Sequence, residues 1–198
     1  MRDKIFQLAD LLDSVFLEPI QFIDKWEASK FDWRFYKILF SFFSSLSIAV
    51  GSYYISPPYT SGFYLPLILG TITNYFALSF LPMLGGSLID SYAQTKERVG
   101  KANMMSDYFS ISLGILIMYA PFCIIAVSIG LQGFFASLVF LLLAFVVLAI
   151  LNSRAIKYIY DLKSRDAMKY SFQSLGILFI YPLIFNFYLT SYILNFTL

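Results

Sequence analysis

Histidine is absent from this chain of 198 residues. Its absence removes histidine-dependent nucleophilic triads, histidine metal sites and histidine proton switches. The single cysteine, Cys123, excludes an intrachain disulfide and a cysteine metal cluster. It lies in an apolar stretch away from any activating cation and reads as an inert packing residue. Charge is scarce as well. Asp, Glu, Lys and Arg make up 13% of the chain, against roughly 25% in a soluble globular domain. A net charge of +2 provides no basic field for nucleic acid. Hydrophobic residues reach 59% and the mean hydropathy is +0.73. In water, a single core this apolar leaves too few polar groups to cover its outside. The chain uses lipid as its solvent.

The missing charge is regional. Residues 38–89, 108–153 and 170–198 contain no Asp, Glu, Lys or Arg. A membrane-spanning helix needs about 20 apolar residues, so the first two stretches each hold two helices and a turn, and the third holds one. The expected fold is an all-α membrane protein, a five-transmembrane-helix bundle over 38–198 with spans at about 38–56, 63–84, 108–129, 133–151 and 171–193. The uncharged breaks, Pro57-Pro58-Tyr59-Thr60-Ser61-Gly62 and Gly130-Leu131-Gln132-Gly133, are turns by composition.

Every Lys and Arg then falls on one side: six before the first span, three between spans two and three (Lys96, Arg98, Lys101), and five from Arg154 to Lys169. The positive-inside bias puts the N-terminus and both charged connections in the cytoplasm and Leu198 outside. The composition and short uncharged outer loops suit a bacterial inner (plasma) membrane. No cleavable signal peptide is expected, because the N-terminus lacks a continuous apolar stretch and a small-residue cleavage site.

Residues 1–37 form a cytoplasmic amphipathic segment. Ile5, Leu8, Leu12, Val15 and Phe16 recur at helical spacing. Pro19 suits the first turn of a second short helix, with Ile20, Ile23 and Trp26 as its apolar stripe. This N-terminal amphipathic helix pair is expected to lie at the interface of the cytoplasmic leaflet, or packed beneath the bundle, or to dock a cytoplasmic partner. Trp26, Trp33 and Tyr36 read as interface anchors.

Within the spans, Ser41, Ser45 and Ala49 recur at intervals of four, with Ser47 and Gly51 one face over; Ser110 and Gly114 repeat the pattern in the third span. Small residues at that spacing let helices approach closely. The fourth span has no polar residue over 138–148 and is expected to be the most lipid-exposed. No span contains an ionisable residue of the kind that marks an ion pathway. The strongest polar residues at depth are Asn74 and Asn186, read as interhelical hydrogen-bonding groups or as substrate contacts. Asp90, Glu97 and Asp107 fall in one expected loop. Their spacing fits no metal-ligand pattern, and a solvated loop is the expectation. No cofactor and no enzyme activity are expected.

Three short motifs resemble the Yip-type membrane proteins, the family named for binding Rab-like GTPases, in its bacterial branch. These are Phe16-Leu17-Glu18-Pro19-Ile20-Gln21-Phe22 ahead of the spans, Leu84-Gly85-Gly86 closing the second, and Tyr119-Ala120-Pro121 in the third. The connection from Asn152 to Lys169 also looks like the family's. The resemblance implies a non-enzymatic scaffold or accessory subunit in membrane organisation or trafficking, with membrane lipids and a membrane or cytoplasmic protein as partners. The alternative is a permease subunit of a lipid or small-molecule transport complex. Lipid-exporter permeases associated with MCE proteins share the layout, and the 87–106 connection would then supply a coupling helix for a cytoplasmic ATPase.

Overall fold

The computed structural model describes residues 2–28, 33–55 and 64–178. Among the described residues there is no strand. Two short helices, α1 (Arg2–Phe16) and α2 (Pro19–Glu27), precede α3 (Trp33–Ile55) and α4 (Tyr64–Gln94). α5 (Ala102–Ser112) passes through a 3-10 stretch, Leu113–Met118, into α6 (Tyr119–Ser128). α7 (Phe134–Ile159) and α8, a helix over 164–178, complete the described fold. Four helical segments are long and apolar enough to cross a membrane: α3, α4, the α5–α6 unit and α7. This is a multi-pass membrane protein. The fifth expected span is described only as far as residue 178, and the Pro57–Gly62 turn and Asn186 lie outside the described residues.

The helix ends follow local chemistry. Pro19 opens α2 at a position where its missing N–H costs nothing. Gly130 and Gly133 adopt positive φ between α6 and α7, a region open to glycine, and the Gly133 amide donates to Ile55 O at 2.6 Å. That bond ties the uncharged turn to the end of α3.

Three expectations about boundaries are corrected. Gly85-Gly86 does not close the second span: α4 runs on through both glycines to Gln94. Its 31 residues measure about 46 Å at 1.5 Å per residue, well beyond a hydrocarbon core of about 30 Å, so the helix protrudes at the charged end. The expected loops at 87–106 and 152–169 are also mostly helix. The true connections are 95–101 and 160–163, where Glu97 and Asp161 take positive φ of 60° and 48°. With α4 ending at Gln94 and α5 starting at Ala102, no separate coupling helix lies between them. α4 and α7 both leave most of their most apolar windows exposed, with 22% and 28% buried against 44% in α3 and 50% in the α5–α6 unit.

Candidate functional site

The polar groups concentrate at two levels, the charged end and a break in the third crossing. At the charged end, Gly86 sets the geometry. A Cβ there would come within 2.9 Å of both Ala102 O and Ser106 N, so α4 and α5 cross backbone to backbone. One turn further, this crossing brings Asp90 under the start of α5. Asp90 Oδ1 accepts from the Lys101 amide at 2.6 Å and from the Tyr160 hydroxyl at 2.8 Å, while Oδ2 accepts from Gln94 Nε2 at 2.7 Å. Gly100 belongs to the same construction, since a Cβ there would sit 3.2 Å from Asp90 Oδ2. Burial, and then the hydrogen bond and charge of Asp90, push the Tyr160 phenol well above its usual range. Tyr160 therefore remains a donor.

Asp107 is the second buried carboxylate. It accepts from Trp26 Nε1 at 2.8 Å and pairs with the Lys37 ammonium. These contacts join α2, α3 and α5. Next to it, the Tyr108 hydroxyl donates to Val15 O at 2.7 Å, and Phe22 meets the Tyr108 ring edge-on at 5.0 Å. Arg154 of α7 donates to Phe16 O at 3.0 Å and to Leu17 O at 2.6 Å. Its cation closes the last turn of α1, where free carbonyls collect. Leu11, Val15 and Phe22 are fully buried against the bundle.

The expected solvated loop is thus corrected: Asp90 and Asp107 lie on helices, buried, with partners remote in sequence. Of the three residues read as interface anchors, Tyr36 is buried, and Trp26 and Trp33 are half-buried. Composition carries no sign of this, because the partners stand 70 and 81 residues away. Among the described residues no group of three His, Cys, Asp or Glu side chains is placed to hold a metal ion.

The second level is the 3-10 stretch. Pro121 stands in the first turn of α6 and has no N–H to offer Ile117 O, four residues before it. Ser47 of α3 supplies the missing partner. Its hydroxyl donates to Ile117 O at 2.8 Å and accepts from the Ala120 amide at 2.9 Å. Ser44 donates to Leu113 O at 2.8 Å. Irregular backbone at membrane depth is tolerated only where neighbours satisfy it, and here α3 does so.

The small-residue positions divide by role. A Cβ on Gly51 would strike the Tyr119 ring at 2.6 Å, and one on Gly114 the Phe40 ring at 2.7 Å. Ala49 faces Gly70 of α4. Ser41 and Ser45 are buried, and Ser45 donates into its own helix at Ser41 O; Ser110 likewise donates to Ser106 O. Tyr119 lies within hydrogen-bonding distance of the Ser137 hydroxyl at 3.2 Å, Pro121 is exposed, Pro19 buried, and Asn74 half-exposed on α4. Sequence reasoning passed over Asn152, fully buried and donating to Leu148 O at 3.0 Å. It also passed over Ser171, which donates from α8 to Ala149 O at 2.7 Å.

No family model, curated protein or solved structure matches this chain.

Two expected outcomes follow from the charged end. Asp107→Asn keeps an acceptor for Trp26 but loses the charge that pairs with Lys37. The first 28 residues should then loosen, and limited trypsin digestion should cut after Lys25 several-fold faster than in the parent chain. An unchanged rate at Lys25 would mean that Asp107 does not hold this segment. The Tyr160 phenol gives a pH dependence. A raised native pKa means that the native state holds its proton more tightly than the unfolded chain. The contribution is therefore complete below about pH 10, where an unfolded tyrosine ionises, and is lost as pH rises above that. Thermal midpoints of the parent should fall more steeply between about pH 9 and 11 than those of Tyr160→Phe, and parallel curves would refute it.

Proposed function

We propose that this chain is a non-enzymatic membrane scaffold or accessory subunit, Yip-like, that acts through protein or lipid contacts in membrane organisation or trafficking. In this reading residues 171–193 complete a five-span bundle in a bacterial inner membrane. The N-terminus and charged connections are cytoplasmic, and the C-terminus is outside. The observation that supports it is the use made of the polar groups. Ser44, Ser47, Tyr108, Asp107 and Arg154 are all bound to backbone or side chains of neighbouring helices. Their hydrogen-bonding capacity serves association of helices, and the docked α1 and α2 present an acidic outer face (Asp10, Asp13 and Asp24 are exposed) for a partner.

The test is purification of the tagged full chain from its native membrane in mild detergent, with mass spectrometry of everything retained. Recovery with a membrane or cytoplasmic protein other than an ATPase, or with itself and lipid, is expected. A stoichiometric ATPase would overturn the scaffold and favour the second reading, a permease subunit. One observation speaks for that reading: the 95–101 elbow projects from the charged end with Val99 79% exposed, as a coupling contact would. Replacing Lys96–Lys101 with Gly/Ser would then abolish ATPase recovery, whereas a scaffold's partner set would be unchanged.

A further inference from the structure

At the charged end a groove of about 500 Å³ opens between the last turn of α2 and the start of α5. Sites for small molecules run from roughly 300 to 1,000 Å³. Its walls include Trp26, Glu27, Asp90, Lys101 and Asn103. Asp90 accepts three hydrogen bonds from neutral donors, which leaves it little of a carboxylate's capacity of about four acceptor sites but does not neutralise its charge. The Trp26 Nε1–H is spent on Asp107, which leaves the indole face. The carboxylate of Glu27 and the ammonium of Lys101 have no ion-pair partner among the described residues. A simple anion would answer only Lys101, and a simple cation only the carboxylates of Glu27 and Asp90. A zwitterion answers both, and its ammonium gains the indole face besides.

We infer that this groove binds a zwitterionic phospholipid headgroup, with phosphate toward Lys101 and ammonium toward Glu27 and Trp26. The lipid source rests on α4. Asp90 lies seven residues beyond Met83, about 10 Å along the helix and only about 20° around it. Met83 and Phe76, another heptad back, are both exposed. Above Asp90, past the α5 crossing at Gly86, Met83 and Phe76 thus offer exposed apolar side chains on nearly the same side of α4, against which the acyl chains of a lipid with its headgroup in the groove would lie. The inference needs only a membrane-embedded chain and holds equally for a scaffold and for a permease subunit.

The chain has two tryptophans, so Trp33→Phe in the full-length protein leaves Trp26 as the sole reporter. This variant, in detergent micelles, is titrated with short-chain phosphatidylethanolamine, with phosphatidylglycerol and with soluble phosphoethanolamine. The expected result is a saturable change in Trp26 emission with phosphatidylethanolamine. The apparent affinity should weaken about tenfold in Glu27→Gln and in Lys101→Ala, the cost of one charge-assisted contact, and be retained in Lys101→Arg. No saturable response, or an equal response to phosphatidylglycerol, overturns the proposal. An equal response to phosphoethanolamine overturns the lipid source and assigns the groove to a soluble zwitterion. If Trp33→Phe does not fold, native mass spectrometry of the unaltered chain decides. Phosphatidylethanolamine retained in preference to phosphatidylglycerol supports the site, and no preference overturns it.

Discussion

Gly86→Ala is expected to destabilise the bundle more than any other single-methyl addition at a described glycine. The new Cβ would lie 2.9 Å from Ala102 O, 2.9 Å from Ser106 N and 3.0 Å from Ser106 Cα. All three are backbone atoms, so no side chain can turn aside, and α5 itself must retreat. α5 carries Met104, Met105, Asp107, Tyr108 and Phe109, all buried. A shift there disturbs the Asp107 contacts and the packing of α1 together. Overpacking a tight site costs about 1–3 kcal/mol and sometimes more, and this geometry belongs at the top of that range. Gly85→Ala is the instructive neighbour. Its Cβ would run into the Phe109 ring and approach the Leu178 side chain at 3.1 Å. Both obstacles are side chains, so Gly85→Ala combined with Phe109→Leu should recover part of the loss, whereas no side-chain truncation should rescue Gly86→Ala. Gly176→Ala is the control, since nothing among the described residues lies within 4 Å of its Cβ. There alanine should be neutral or stabilising by up to about 1 kcal/mol through helix propensity. Resistance to unfolding by a denaturing detergent measures all of these. Equal midpoints for Gly86→Ala and Gly176→Ala would disprove the backbone crossing.

Gly85-Gly86 also shows where sequence reading stops. Glycine ends helices because it tolerates left-handed backbone, and it lines helix crossings because it has no side chain. The two uses look alike in one sequence. The residues that decide here come later. Ile89 and Ala93 are buried at helical spacing, and they carry α4 past the glycines. The membrane character and four of the approximate spans were legible because the uncharged stretches are long, and lipid forces unsatisfied backbone into helices. The charged connections were legible in place but not in length, because Asp and Lys in a protruding helix read as loop. The fates of Asp90 and Asp107 were not legible at all. A charge marks a residue as costly to bury, and only the fold shows that Tyr160, Trp26 and Lys37 offset that cost. Ser47 was read as a small packing residue and Ser44 was not singled out, whereas both hydrogen-bond to the backbone of the neighbouring 3-10 stretch. The proline responsible, Pro121, was in view, but nothing in the sequence connects it to Ser47.

Ser47→Ala is accordingly expected to be far more costly than an ordinary interhelical serine deletion. Such bonds between membrane helices average about 0.6 kcal/mol, because the partner usually finds another. Here Pro121 cannot donate to Ile117 O, and one α3 hydroxyl serves both Ile117 O and the Ala120 amide. Each buried group left unpaired costs about 1–3 kcal/mol, so the variant should lose about 2–4 kcal/mol. Ser45→Ala should lose little, because the Ser45 hydroxyl returns to a carbonyl of its own helix. Ser174 gives the opposite control. Its hydroxyl is fully buried and has no hydrogen-bond partner among the described residues, so Ser174→Ala should be neutral or stabilising. The decisive comparison is a double-mutant cycle. Pro121 is exposed, so Pro121→Ala has room, and its new amide can reach back to Ile117 O. In that background Ser47→Ala should cost about 1 kcal/mol less than in the parent, a coupling well above the ~0.5 kcal/mol scatter of independent sites. If the two losses simply add, the hydroxyl of Ser47 is not the repair for Pro121, and the 3-10 stretch is held by packing against Gly51, Gly114 and their aromatic neighbours.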